Sequence, residues 1–412
     1  MSRMKIRNVK IIVTSPGRNY VVVKIETDEP GVYGVGDATL NGRELAVATA
    51  LRDHIAPLLI GRDPDRIEDI WQYLARGGYW RGGPVQMTAI AGIDLALWDI
   101  KGKVAGLPVY SLLGGRTRKG ALAYGHASGE TYAELLEDVQ RRMAEGFRVV
   151  RVQAAVPGQP ASYGIDGAYG KLAPEAGIGD GGPLPLLEQD WEPRAYLRSV
   201  PTMLEFLRSE LGDSVELCHD VHGRLTPGEA ARLARDVEPY ELLFLEDPVR
   251  PEHRESLRVV RHASTTPLAM GELYTTKYDT ITPITEQLID YVRCDLAHIG
   301  GLSEARKIAA IAEPFGVRTA WHGPDDIGPA AHAANVHLDC SISNFGIQEY
   351  PGLTGAVLDV LPGTPELVDG YLVPSEAPGL GVDLDEKLAA RFPYRRAYLP
   401  TVRLTDGSVH DW

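Results

Sequence analysis

The sequence predicts an α/β protein: a parallel (β/α)8 barrel, a modified TIM barrel, preceded by an α+β capping domain. Three observations carry this. From Ala121 onward eight short apolar runs each end in polar or charged residues: ALAYGHA, FRVVRVQ, VELCHDVHG, LLFLEDP, PLAMGEL, IDYVRCDL, VRTAWHG and FGIQEY. Segments rich in Ala, Leu, Arg and Glu, such as 227–237 and 303–313, lie between most of them, as parallel strands need for their crossovers. The first 120 residues follow another rhythm, with adjacent Val/Ile-rich runs and then long helical periodicity. The expected division is a capping domain at 1–123 and a barrel at 124–384, with 385–412 returning to complete the cap.

Composition narrows the function. The chain has 412 residues, 42 Lys+Arg against 56 Asp+Glu and a net charge of −14, with 44% apolar and 24% charged residues. This is a globular profile. The acidic balance argues against nucleic acid as the main partner, because neutralising phosphates needs a surplus of Lys and Arg. No apolar run approaches the ~18–20 residues of a membrane span. The basic start MSRMKIRNVKIIVTSPG lacks the apolar core of a signal peptide and reads as a first strand. Cys218, Cys294 and Cys340 are an odd, widely spaced set in apolar surroundings, which suits reduced thiols in the cytoplasm.

Residues 5–14 and 20–27, separated by SPGRN, read as a hairpin or meander. Helical segments follow at 43–59 and 65–74, then a glycine-bracketed aromatic loop, GGYWRGG, at 77–83. An amphipathic helix is expected over 85–104, where Ile90, Ile93, Leu97 and Ile100 recur at helical spacing. Within the barrel one connection is long: residues 157–193, rich in Gly and Pro, follow the second strand. A connection of that length in a compact domain is usually functional.

Catalytic groups of such barrels sit at the carboxyl ends of the strands. Those ends carry His126, Arg151 and Gln153, Asp220 and His222, Glu246, Glu272, Arg293 and Asp295, His322, and Glu349. Asp220, Glu246 and Glu272 are spaced 26 residues apart, one strand-helix unit each, which puts three carboxylates on adjacent strands at one depth. Such a trio repels itself unless a cation holds it, and oxygen ligands suit Mg²⁺. Strand parity would point His222 the same way as Asp220. Asp295 precedes His322 by 27 residues on the neighbouring strand, so it could orient His322 as a general base. An Arg293–Asp295 salt bridge is the equal alternative. Tyr163, Tyr169 and Lys171 lie in the long connection, where a tyrosine beside Arg151 could also serve as a base. Nucleotide and serine-nucleophile motifs are missing: Gly34-Val-Gly36 lacks a third glycine, and there is no GK[ST] loop or G-x-S-x-G elbow.

Together these residues resemble the enolase superfamily. The helix and turn DLALWDIKGKVAGLPVYSLLGG carry the likeness together with Asp220, Glu246 and Glu272 on the third to fifth strands. Within it the chain resembles the mannonate dehydratase family over essentially its whole length. The distinguishing pieces are DATLNGRE (37–44), YGHASG (124–129), RVQAAVPGQPASYG (151–164), CHDVHGRLTP (218–227), GELYTT (271–276), HG-x-x-D (322–326), FGIQEY (345–350) and the tail RAYLPTVRLTDGSVHDW. The resemblance implies one Mg²⁺ per subunit on Asp220, Glu246 and Glu272. It implies His222 as the acid for the departing 3-hydroxyl, and Tyr163 with Arg151 as the base that removes the C2 proton. Asn41, His126, Arg293, His322, Asp326 and Glu349 would contact the substrate.

The implied reaction is dehydration of D-mannonate, D-gluconate or both to 2-keto-3-deoxy-D-gluconate, in a homo-oligomeric enzyme of four or eight subunits. Arg151-Val-Gln153 replaces the superfamily's usual lysine pair, which argues against muconate cycloisomerase-like chemistry. Pro324 stands where efficient mannonate dehydratases carry Ala, which implies a slower, more permissive enzyme. The Asp295–His322 pair also resembles the mandelate racemase and galactonate dehydratase branches. The alternatives are therefore a galactonate-like dehydratase, an acid-sugar epimerase or racemase, and a metal-binding regulatory protein that has lost activity.

Overall fold

The computed structural model describes residues 4–157, 188–396 and 401–411. The Val- and Ile-rich runs at the start form a three-stranded antiparallel sheet of β1 (Ile6–Thr14), β2 (Tyr20–Thr27) and β3 (Tyr33–Asp37). Helical segments from Glu44 to Leu59, including a π-helical turn at Ala50–Ile55, and the helix Ile67–Arg76 pack beside it.

The helix Pro84–Ala105 joins the two halves of the molecule. It was expected to be amphipathic, yet it is buried nearly all round from Met87 to Ile100. One side lies on the capping sheet, where a Cβ on Gly34 or Gly36 would stand 1.9 or 2.1 Å from a carbonyl oxygen of this helix. Those two glycines permit close approach of sheet and helix. The other side faces the barrel: Trp98 Nε1 donates to Ser303 Oγ (2.9 Å), and Asp94 Oδ2 accepts from the Ser303 amide (2.9 Å). A helix held between two layers has no solvent face, so its apolar stripe widens to the full circumference.

Eight parallel strands form the barrel: β4 (Ala121–Gly129), β5 (Val149–Ala154), β7 (Glu216–Asp220), β8 (Leu245–Glu246), β9 (Leu268–Met270), β10 (Tyr291–Val292), β11 (Arg318–Thr319) and β12 (Gln348–Glu349). One further strand, β6 (Glu188–Trp191), lies outside the ring. Pairing runs in sequence order from β4 to β11, and β12 closes the ring on β4. The amides of Gly346 and Ile347 bond to the Thr319 carbonyl and join β11 to β12. Tyr124, Val149, Cys218, Phe244, Ala269, Tyr291, Ala320 and Ile347, one at or beside each strand, make a buried plug under the strand ends. The barrel is thus a packed core with chemistry confined to its rim.

Helices Tyr132–Ala144, Pro193–Leu211, Pro227–Asp236, Leu257–Ala263, Lys277–Thr285, Leu302–Ala312 and Pro329–Ser341 follow the first seven barrel strands. The eighth unit has only the single turn Val357–Val360, followed by the hairpin β13 (Glu366–Val368) and β14 (Tyr371–Val373). β14 adds antiparallel to the start of β4.

The tail divides. Lys10 and Lys24 meet Glu386 at 3.1 and 2.6 Å, and Thr14 Oγ1 donates to the Ala389 carbonyl (2.9 Å), so this part lies on the cap. Residues 401–411 do not return there as expected. β15 (Thr401–Leu404) pairs in parallel with β6, and β16 (Val409–His410) pairs with β15. β6 offers an edge that no barrel strand uses, and His410 Nε2 donates to the Arg224 carbonyl (2.8 Å), so the tail ends at the barrel mouth. Among the described residues no helix is long and apolar enough to cross a membrane.

His337, in the helix Pro329–Ser341, is buried with Nδ1 accepting from the Tyr110 amide (3.3 Å) and Nε2 donating to the Leu380 carbonyl (3.2 Å). Burial lowers its pKa to about 4. The unfolded chain takes up this proton at about pH 6.5 while the folded chain does so only near 4, so stability falls as pH drops through that window. His337→Gln should flatten the decline by up to about 1.4 kcal/mol per pH unit. Urea unfolding midpoints at pH 7.5 and 4.5 check this; identical declines in both proteins would contradict it.

Candidate active site

The carboxyl ends of the barrel strands open into a cavity of about 540 Å³ below the capping domain. Asn41, His126, Arg151, His222, Glu272, His322, Asp326 and Glu349, all foreseen from the sequence, line it. Tyr163 lies outside the described residues, as do Tyr169 and Lys171.

On the third barrel strand, β7 ends at Asp220, and strand parity therefore does not place His222. A turn does: Asp220 Oδ1 accepts from the His222 amide (2.8 Å), and His222 takes a left-handed φ of 59°. A non-glycine residue in that region is strained and persists where its surroundings enforce it. The turn brings His222 Nε2 to 3.2 Å from Glu272 Oε1. Ligand atoms of Asp220, His222 and Glu272 all lie within 4.8 Å of one another.

This set differs by one member from the expected trio. Asp220 and Glu246 stand side by side in register, but Glu246 is level with Ala269, three residues short of Glu272. Equal sequence spacing thus does not give equal depth, because Gly271, at φ 137°, bends the chain beyond β9 before Glu272. Glu246 is fully buried and, among the described residues, neither carboxylate oxygen has a hydrogen bond; Arg293 and Arg151 approach Oε2 at 3.2 and 3.7 Å. Burial pushes its pKa up to about 7. A buried carboxylate with no hydrogen bond among the described residues, beside Asp220, fits a hard cation.

Arg293 also departs from expectation. It does not touch the cavity but sits beneath it, 0% exposed. Its guanidinium lies 2.8 Å from Glu272 Oε2, 2.8 Å from Glu349 Oε2 and 3.5 Å from Asp247 Oδ2. It is the buried counter-charge of these carboxylates, and it does not pair with Asp295. Asp295 Oδ2 instead accepts from His322 Nδ1 at 2.7 Å, and its other oxygen accepts from the Ala297 amide (2.7 Å). That bond fixes the ring of His322 with Nε2 turned towards Glu272, 3.6 Å away. Burial alone would lower the His322 pKa, but Glu349, the bond to Asp295 and Glu272 together raise it to about 10.

His126 donates Nε2–H to Glu349 (2.8 Å), and its Nδ1 accepts from Arg151 (3.1 Å). Burial and the nearby Arg151 lower its pKa to about 4, so it is a neutral donor. Arg151 also meets Asp220 at 3.2 Å, and burial of Asp220 is outweighed by His222, Arg151 and Arg293, which hold its carboxyl below the usual range. From the cap, Asn41 donates to Asp326 (2.7 Å).

The sequence reading missed several lining residues. Arg250 and Asp411, a tail residue, form an ion pair on the rim, and Arg18 of the cap meets Asp325 at 2.9 Å. His298 also faces the cavity. Its place three residues after Asp295, in the turn that carries the strand-end acid, was the signal available; the pairs made by Arg18 and Asp411 join residues far apart in the chain and left none.

Known proteins agree with this architecture. Residues 2–114 match the mandelate racemase / muconate lactonizing enzyme N-terminal domain, and residues 134–388 match the enolase C-terminal domain-like family. The chain is 52% identical over 409 residues to a D-mannonate dehydratase of Caulobacter sp. strain K31, covering 99% of this chain and 100% of the other. It is 50% identical over 412 residues to a D-galactonate dehydratase family member of Pseudarthrobacter chlorophenolicus, with 99% and 100% covered. A crystal structure of an enolase from Pantoea ananatis with bound D-gluconate and Mg superposes with a TM-score of 0.90 at 45% identity, covering 100% of both chains. The barrel and its cap therefore belong together by descent as well as by geometry: this chain is a member of the mandelate racemase/muconate lactonizing enzyme family of the enolase superfamily.

Proposed function

We propose that the protein is a Mg²⁺-dependent acid-sugar dehydratase acting on D-mannonate, D-gluconate or both, with 2-keto-3-deoxy-D-gluconate as product. The observation that carries this reading is the convergence of Asp220, His222 and Glu272 with His322 only 3.6 Å from Glu272, so that two imidazoles flank one cation position. The names of the Caulobacter relative and the gluconate- and Mg-bound Pantoea structure support the substrate class and the metal.

Asp220, Glu246 and Glu272 are the proposed ligands, and a divalent cation held there supplies positive charge that draws electron density from a substrate carboxylate and acidifies the neighbouring C–H. The rest is done by the chain. A base removes the C2 proton: His322 in its neutral form, oriented by Asp295, with Tyr163, which the family resemblance pairs with Arg151, as a second base. His222 then protonates the departing 3-hydroxyl, water leaves, and the enol tautomerises to the 2-keto acid. His126 and Glu349 contact the substrate, and Asn41 with Asp326 closes the cap side. Arg293 holds the carboxylates apart from below. Mannonate and gluconate differ only at C2, so two bases on two faces could serve both epimers. Pro324, with a fixed φ and no N–H, follows His322-Gly323 and shapes that side of the site.

A galactonate-like substrate is the second reading, favoured by the 2.7 Å Asp295–His322 bond and by the family name of the Pseudarthrobacter relative. For assembly we propose a homo-oligomer, supported by Tyr79 and Trp80, which are 88% and 89% exposed. The buried free cysteines support a cytoplasmic setting.

Incubation with a panel of hexonic and pentonic acids and Mg²⁺ should release a 2-keto-3-deoxy acid from mannonate, gluconate or both; no keto product from any acid would refute the reading. His222→Asn should lose dehydration while still exchanging the C2 proton for solvent deuterium, and normal dehydration by that variant removes His222 from the acid role. Tyr163→Phe should slow mannonate more than gluconate, and His322→Asn the reverse. Equal losses on both substrates would dismiss the two-base arrangement.

A further inference from the structure

The mechanism leaves His298 unused, although it lines the cavity with a side chain 15% exposed. Its Nδ1 shares a 2.9 Å hydrogen bond with Thr88 Oγ1 in the helix Pro84–Ala105. Its Nε2 lies 3.7 Å from Asp295 Oδ2, beyond hydrogen-bond reach, and makes no hydrogen bond among the described residues. Asp295 is already engaged by His322 and by the Ala297 amide. One ring nitrogen is thus anchored and the other is open to the cavity.

The turn that carries His298 is rigid, and the capping domain makes it so. The amides of His298 and Ile299 bond to the Asp295 carbonyl (3.0 Å each), and Gly301 N bonds to Leu296 O (3.0 Å). Trp71 Nε1 donates to the Gly300 carbonyl (2.7 Å), and Asp94 takes the Ser303 amide (2.9 Å). A Cβ on Gly300 would stand 2.8 Å from the Met87 methyl, so Trp71 and the helix Pro84–Ala105 are pressed on this turn. The ring therefore sits on the seam between cap and barrel, while Asp220, His222, Glu272 and His322 come from the barrel alone. A polyhydroxy acid whose carboxylate and C2 lie at the barrel residues has further hydroxyls to place in the same cavity, which His298 lines.

We propose that His298 is a specificity-determining residue whose Nε2 hydrogen-bonds a hydroxyl of the substrate beyond its reacting carbons. The proposal rests on the acid-sugar reading and names the group that distinguishes a long polyhydroxy acid from a short one. A preorganised imidazole costs little ordering on binding and can donate to or accept from a hydroxyl. Thr88 acts through it as a positioning residue.

Calorimetry with the Mg²⁺-loaded protein tests this with two probes: D-gluconate, and D-glycerate, which ends at C3. His298→Leu should weaken gluconate about 10-fold, the scale of one good hydrogen bond, and leave glycerate unchanged. His298→Gln should restore part of the gluconate affinity, and Thr88→Val should weaken it about 3-fold. In turnover, KM for gluconate should rise with kcat changed less than about 3-fold. Equal weakening of both acids would mean that His298 acts on the reacting end and overturns the proposal. So would a lowered melting temperature with both affinities intact, which marks a mere interdomain clamp, or a wild-type protein that does not bind gluconate. Gluconate binding with no keto product from any acid of the panel would sink the dehydratase reading alone, and the comparison of the two acids would still decide the role of His298.

Discussion

One arginine with no solvent exposure sits among four carboxylates at the top of the barrel. Arg293 lies within 3.5 Å of Glu246, Asp247, Glu272 and Glu349, and every one of these acids is buried. Bringing so many like charges together out of water is costly, and Arg293 with Arg151, which reaches Asp220, Glu246 and Glu349, offsets them only in part. The excess negative charge faces upward, towards Asp220, Glu272 and the two imidazoles. The barrel thereby acquires a cation position from its charge imbalance, and the apolar plug of Tyr124, Phe244, Tyr291 and their neighbours keeps water from relieving it below.

The capping domain is the second half of the arrangement. The far end of the loop after His322 is held from the cap: Tyr20 donates to the Asp325 carbonyl (3.1 Å), Arg18 meets the Asp325 carboxylate, and Asn41 holds Asp326. His332, in the helix that follows, donates to the Pro324 carbonyl (3.1 Å), and Glu349 accepts from the Gly323 amide (3.0 Å). The ring of His322 is thus fixed by Asp295 on one side and by a clamped loop on the other. A substitution in the cap would move a barrel imidazole without touching it, which is why Pro324 matters beyond its own contacts.

Much of this was legible in the sequence. Eight apolar runs with polar ends gave the strands because a parallel strand is buried on both faces and only its tip can carry a charge. Asp220, Glu272, His222, His322 and Glu349 were found by that rule; the structure brings the last four to one cavity and sets Asp220 beside His222 and Glu272. The failures have a common cause. The depth of Glu272, the position of His222 beyond its strand and the burial of Arg293 depend on turns and on a closed ring, which spacing along the chain does not encode. The tail went wrong likewise, since β6 becomes an available edge only after the barrel has closed without it. His298 was passed over because its importance comes from Thr88, 210 residues away.

The central claim is that the carboxylates over Arg293 form a site for one divalent cation in which Glu246 takes part. Titration of the protein with Mg²⁺, followed by calorimetry and by the melting temperature, tests it most directly, with Glu246→Gln as the comparison. The account predicts one Mg²⁺ per chain, a melting temperature that rises with Mg²⁺ concentration, and loss of both effects in Glu246→Gln with the fold intact. Wild-type protein that takes up no Mg²⁺, or a Glu246→Gln variant that binds it as well as wild type, would contradict it.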